Sequence, residues 1–184
     1  MKELKIGRTP LREAIKRLAL ENLVEIRPRR GTYVTEVHVA DIVHITEVRA
    51  ELEGHAAHLA AMRMENEGRE RAEALLIELE QLDPQDSDTL MRIDESVHRL
   101  AWEAAGNPYL LDTLEGYFAL SLRIWYVVIE RVPGLWTAVH DQRDLLNSLL
   151  TRDGSRARDL MREHILAFQR EIVAAFTRRE SIEV

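Results

Sequence analysis

Three side chains in the second half of this chain have the type and spacing to hold a cation or an acid: Asp94, His98 and His164. Asp94 and His98 stand four residues apart, so on a helix they leave the same face. Leu90, Val97, Ala101 and Ala105 share that face, which aims both polar groups at an apolar interior. His164 falls on a second apolar stripe with Ala157, Leu160, Met161 and Phe168. A carboxylate and two imidazoles left unpaired in a core are costly. A divalent metal or a bound carboxylate ligand removes that cost. So does an Asp–His hydrogen bond with a buried water, and the residues alone leave both arrangements open.

A second chemistry lies near the start. Arg8, Arg12 and Lys16 recur at every fourth position, opposite an apolar stripe of Leu11, Ala14, Ile15 and Leu18. This predicts a helix from Pro10 to Asn22, with Thr9 able to cap it and Pro10 suited to its first turn. Two β-prone runs follow, Val24-Glu-Ile26 and Thr32-Tyr-Val34, flanking Arg27-Pro-Arg-Arg-Gly31. They read as a hairpin with a basic tip turned by Pro28 and Gly31. Such a helix suits the major groove of DNA, where arginine reads guanine, and such a tip suits the minor groove or phosphates. A solvated basic face and an ordinary turn is the other reading.

Charge is segregated in the same way. Residues 1–37 hold nine Lys/Arg against five Glu, whereas residues 38–184 hold sixteen against twenty-seven acidic residues. A polyanion partner for the head alone follows from that asymmetry. The absence of cysteine excludes disulfides, thiolate metal sites and a cysteine nucleophile. The most apolar stretch, Phe118 to Ile129, carries Arg123 and is too short to span a bilayer. No apolar leader follows Met1, so a cytoplasmic protein without a membrane partner is expected.

Beyond His38 the pattern is helix after helix, with predicted spans 39–65, 69–82, 87–105, 108–131, 135–151 and 154–179. Asn66-Glu-Gly68, Asp83-Pro84, Gly106-Asn-Pro108, Val132-Pro-Gly134 and Asp153-Gly154 punctuate them. The expected fold is mainly α: a partial winged helix-turn-helix over 1–37, then an antiparallel six-helix bundle over 38–184.

The segment Gly7-Arg-Thr-Pro-Leu-Arg-Glu-Ala-Ile15, with Arg17-Leu18 and Leu23-Val-Glu-Ile-Arg-Pro-Arg-Arg-Gly-Thr-Tyr-Val34, resembles the winged-helix signature of the GntR transcription regulators. The resemblance puts Arg8, Thr9 and Arg12 on the recognition helix and makes Arg30 and Gly31 the wing tip. Gly7 departs from the Ser or Thr usual there, a small capping loss. Two helices normally precede such a recognition helix. Only residues 1–4 represent the second, and weakened DNA binding is expected on that ground.

Ile45 to Ala61, Asp94-Glu-Ser-Val-His-Arg-Leu-Ala-Trp-Glu-Ala-Ala-Gly-Asn-Pro108 and Gln142 to Ile165 resemble the FCD effector domain of the FadR branch, nearest its VanR-like subgroup. In its metal-binding members one Asp and three His hold a divalent ion beneath the effector. Asp94, His98 and His164 match three positions, and Gln142 stands at the fourth. His140, two residues earlier, is turned about 200° away on a helix. A glutamine oxygen is a poor ligand for zinc or nickel, so a weak metal site or none is expected. Arg49 matches a family arginine able to clamp an organic acid, and Arg123 is a second candidate. An intrahelical pair of Arg49 with Glu53 is the alternative. His55 and His58, though spaced for a metal pair, occupy positions that vary in the family and read as ordinary helix residues. His38 and His44 read as linker and surface. Trp102, Trp125, Tyr126 and Trp136 read as core or dimer interface.

The function expected is a ligand-responsive DNA-binding regulator, most simply a repressor, acting as a homodimer on operator DNA and answering to a small organic acid. Two other readings stand beside it: a metal-dependent all-helical enzyme, and an effector-binding domain with impaired DNA binding.

Overall fold

The computed structural model describes residues 6–36, 38–83, 85–128 and 142–180. It is mainly helical with one small antiparallel hairpin, and it divides into two compact units, Met1–His38 and Val39–Val184.

In the first unit, helix α1 (Arg8–Leu20) precedes strands β1 (Val24–Arg27) and β2 (Gly31–Val34). The helix begins two residues before the expected start, with Gly7 rather than Thr9 at its cap and no capping side chain. It ends in a Schellman turn: Asn22, at φ 57°, lets its own N–H reach Ala19 O and that of Leu23 reach Leu18 O. Among the described residues of this unit none is fully buried; Leu11 and Ile15 are half-buried and Leu18 is exposed. The hairpin pairs Val24 with Val34 and Arg27 with Gly31. Its turn closes by Arg30 N–H donating to Arg27 O, with Arg29 at φ 63° and Gly31 at φ 117°. Tyr33 braces the tip, its hydroxyl donating to Arg30 O while the Arg27 guanidinium lies 5.0 Å from its ring centre.

The second unit contains, among the described residues, α2 (Val39–Arg63), α3 (Asn66–Glu80), α4 (Ser87–Ala104), α5 (Pro108–Val128), α6 (Gln142–Leu150) and α7 (Gly154–Glu180). Three starts carry side-chain caps: Asp86 accepts from Thr89 N, Asn107 from Leu110 N, and Asp153 from Arg156 N. Helix α3 corrects the expectation at its start. Asn66-Glu-Gly68 forms its first turn rather than a break, because backbone bonding is already satisfied there by Arg69 N–H to Glu65 O. The expected break at Val132-Pro-Gly134 lies outside the described residues.

The core gathers Ala56, Ala57, Ala60 and Ala61 of α2, Ile93, Val97, Leu100 and Trp102 of α4, Leu145, Leu146 and Leu149 of α6, and Met161 of α7. Small residues on α2 let α7 approach closely. A Cβ at Gly154 would stand 2.7 Å from His58 Nδ1 and 3.1 Å from the His58 carbonyl oxygen. Because one of those neighbours is backbone, Gly154→Ala should push α7 off α2 and destabilise the bundle by about 1–3 kcal/mol. A urea melt checks this, and an unchanged midpoint would exclude the close packing.

Candidate functional site

The faces that α4, α6 and α7 turn inward meet around four polar side chains. Asp94 and His98 come from α4 and are 6% and 1% exposed; Gln142 opens α6 and is 1% exposed. His164 comes from α7, its side chain 11% exposed. The helical periodicity that aimed Asp94 and His98 inward also packs Leu90, Val97, Ala101 and Ala105 beside them in the core.

The donor atoms converge. His98 Nε2 and His164 Nε2 are 3.1 Å apart, His164 Nε2 is 3.3 Å from Asp94 Oδ1, and His98 Nε2 is 3.8 Å from Asp94 Oδ2. Ligands at about 2.0–2.2 Å from a shared ion stand roughly 3–3.5 Å from one another. One atom from each of Asp94, His98 and His164 therefore fits a divalent cation, all three lying within 4.8 Å of each other. Gln142 completes the ring, its Nε2 donating to Asp94 Oδ1 at 2.7 Å and lying 3.3 Å from His164 Nε2. Its Oε1 is buried without a hydrogen-bond partner among the described residues, as is His164 Nδ1. A polar centre with two orphaned atoms has bonding capacity left for a ligand.

A ring of partners from α2 and α4 lies behind this centre. Glu53, fully buried, accepts from Arg49 Nε at 2.6 Å through one oxygen. Its other oxygen takes hydrogen bonds from His98 Nδ1 and, at 3.0 Å, from Trp102 Nε1. Phe118 of α5 forms an apolar wall, with the Arg49 guanidinium 5.4 Å from its ring centre and the His98 ring at 5.9 Å.

The charges act together. Burial alone would push the Glu53 carboxyl up, but Arg49 and His98 outweigh it and hold it at about 2. Burial likewise opposes ionisation of Asp94, which His98, His164 and Arg49 bring down to about 2. For His98 burial works against the imidazolium, yet Glu53 and Asp94 raise it above its ordinary value.

Among the other sequence candidates, Arg49 is paired with Glu53, the intrahelical alternative considered for it. Arg123 is half-buried on α5. His55 is exposed and faces Arg158 at 3.3 Å, while His58 lies under Gly154. His38 and His44 are exposed. Trp102 belongs to the core. His140 and Trp136 lie outside the described residues, as do the side chains of Trp125 and Tyr126. The residue that sequence reasoning underrated is Glu53. It shares a stripe with Ala50, Ala57 and Ala61, and that small-residue stripe signals a buried face.

In the basic unit, Arg8, Thr9, Arg12 and Lys16 are all exposed along α1. Arg30 and Gly31 are exposed at the hairpin tip. No described helix is long and apolar enough to cross a membrane.

Residues 44–167 match the FCD domain, and residues 1–34 match the bacterial regulatory proteins of the gntR family. The HTH-type transcriptional repressor RspR of Escherichia coli is 27% identical over 166 residues, covering 87% of this chain and 71% of that protein. The HTH-type transcriptional repressor GlaR of the same organism is 29% identical over 170 residues, covering 88% and 77%. Among solved structures, E. coli McbR/YncC superposes with a TM-score of 0.80 at 22% identity, covering 97% of this chain and 84% of that one, a likeness of fold.

Proposed function

Because this chain belongs to the gntR family of bacterial regulatory proteins and carries an FCD domain, we propose that it is a transcriptional repressor whose DNA binding responds to a small organic acid taken up in its helical domain. The family consists of DNA-binding transcription regulators, not enzymes. The observation that carries the ligand-responsive half is the convergence of Asp94, His98 and His164, with orphaned Gln142 Oε1 beside them, inside a bundle that packing alone would leave apolar.

In this reading Arg8, Thr9, Arg12 and Lys16 present one polar face to a major groove, and the tip at Arg30 and Gly31 contacts the minor groove or phosphates. Two copies paired through the helical domain match a two-fold operator. Asp94, His98 and His164 hold a divalent ion, zinc or nickel by the preference of imidazole. A bound ion supplies a Lewis-acid position that an effector carboxylate can occupy. Gln142 stands beside it as a weak neutral donor, which keeps the affinity below that of a four-ligand site. Arg123, half-buried on α5, supplies positive charge for the acid, while Arg49 is engaged by Glu53.

The test is binding to a duplex selected by the protein from a random pool, followed by fluorescence anisotropy across a salt series. Affinity should fall steeply and linearly on logarithmic axes as salt rises, reflecting released counterions. Absence of any selected duplex, or binding indifferent to salt, overturns the reading.

A further inference from the structure

Glu53 makes contacts that a simple ion pair with Arg49 does not require. Its Oε2 accepts from His98 Nδ1 and from Trp102 Nε1 at 3.0 Å, while Oε1 serves Arg49 at 2.6 Å. The carboxylate is 0% exposed, and its three partners come from two helices. An imidazole that donates through Nδ1 leaves Nε2 as the atom able to accept or ligate. That atom stands 3.1 Å from His164 Nε2 and 3.8 Å from Asp94 Oδ2. The Trp102 indole, itself fully buried, fixes the same oxygen from the other side and limits rotation of the carboxylate.

We infer that Glu53 is the positioning residue of the metal centre: by accepting from His98 Nδ1 it turns His98 Nε2 toward Asp94 and His164. Outer-shell carboxylates set the ring orientation of metal-binding histidines in this manner, and their loss weakens the metal about 10–100-fold. The assignment rests on the metal reading proposed above. A role limited to neutralising Arg49 would use only the Oε1 contact.

The experiment uses the full chain, titrated with zinc alone against a chromophoric chelator and, separately, with cobalt(II) for its visible d–d bands. Glu53→Gln should lower zinc affinity about 10–100-fold and alter the cobalt bands. Asn107→Ala, which removes the cap of α5 away from the cluster, should change neither. If Glu53→Gln fails to fold, Glu53→Asp keeps a negative charge for Arg49 while shortening the reach to His98, and it should show the same loss. Wild-type affinity and an unchanged cobalt spectrum in a folded Glu53 variant overturn the assignment alone. An equal loss in Asn107→Ala overturns it too, since instability would then suffice. A wild-type chain that binds neither ion overturns the metal reading and the assignment with it.

Discussion

Truncating Glu53 to alanine is expected to lower the unfolding free energy of the helical domain by about 3–5 kcal/mol, the largest loss from any one side chain in the cluster. The reason is what stays behind. Arg49, whose side chain is 7% exposed, would keep its charge without a carboxylate, and His98 Nδ1 and Trp102 Nε1 would each lose an acceptor. The double variant Arg49→Met/Glu53→Leu removes the stranded charge and should recover much of the loss, because apolar pairs of similar volume replace buried ion pairs at little cost. The deficit that persists measures the two unpaired donors. Urea melts of the single and double variants check this. A Glu53→Ala loss below about 1 kcal/mol, the range of an exposed pair, would show that the cluster is wet rather than buried.

The second large effect belongs to the basic helix. Arg12→Ala should weaken binding to a selected duplex by about 1–3 kcal/mol and relax the base preference at one position of the site. Lys16→Ala should instead weaken binding evenly across sequences and flatten the salt slope by about 1, as loss of a phosphate contact does. Lys16 lies 2.9 Å from Glu13 on the exposed face, a weak pair that a phosphate contact would replace. Repeating the duplex selection with each variant separates the two roles. An Arg12→Ala chain that selects the same sequences at the same affinity would remove α1 from base reading.

Much of this architecture can be read from periodicity. The four-residue spacing of Asp94 and His98 on an apolar face required both to point inward, and the stripe around His164 required the same of α7. Both groups meet in the bundle because helices can bury only the face their apolar residues mark. Periodicity does not report which helices become neighbours, and that hid Glu53. The stripe of Ala50, Ala57 and Ala61 marks the face of Glu53 as buried, but only the packing of α4 against α2 brings His98 and Trp102 onto its second oxygen. The start of α3 departs from the expected break for a local reason. Gly68 looks like punctuation, yet it sits in the first turn of a helix where Met64 packs so near that a Cβ would stand 2.8 Å from its Cγ. Glycine there serves close approach rather than a break. The hairpin tip was legible because Pro28 and Gly31 are the residues its turn needs, although the positive φ of Arg29 was not signalled by its type.

The proposed regulation couples DNA binding by the basic unit to the polar centre of the helical domain. The measurement that tests it most directly is the affinity of the full chain for its selected duplex, taken with zinc present and across a panel of small organic acids, for the wild type and for His98→Ala. At least one acid should shift the wild-type affinity by about 5–150-fold, the usual range of allosteric coupling, and His98→Ala should lose the shift while still binding DNA. An acid response that survives intact in His98→Ala, or a wild-type chain whose DNA affinity no acid changes, would contradict it.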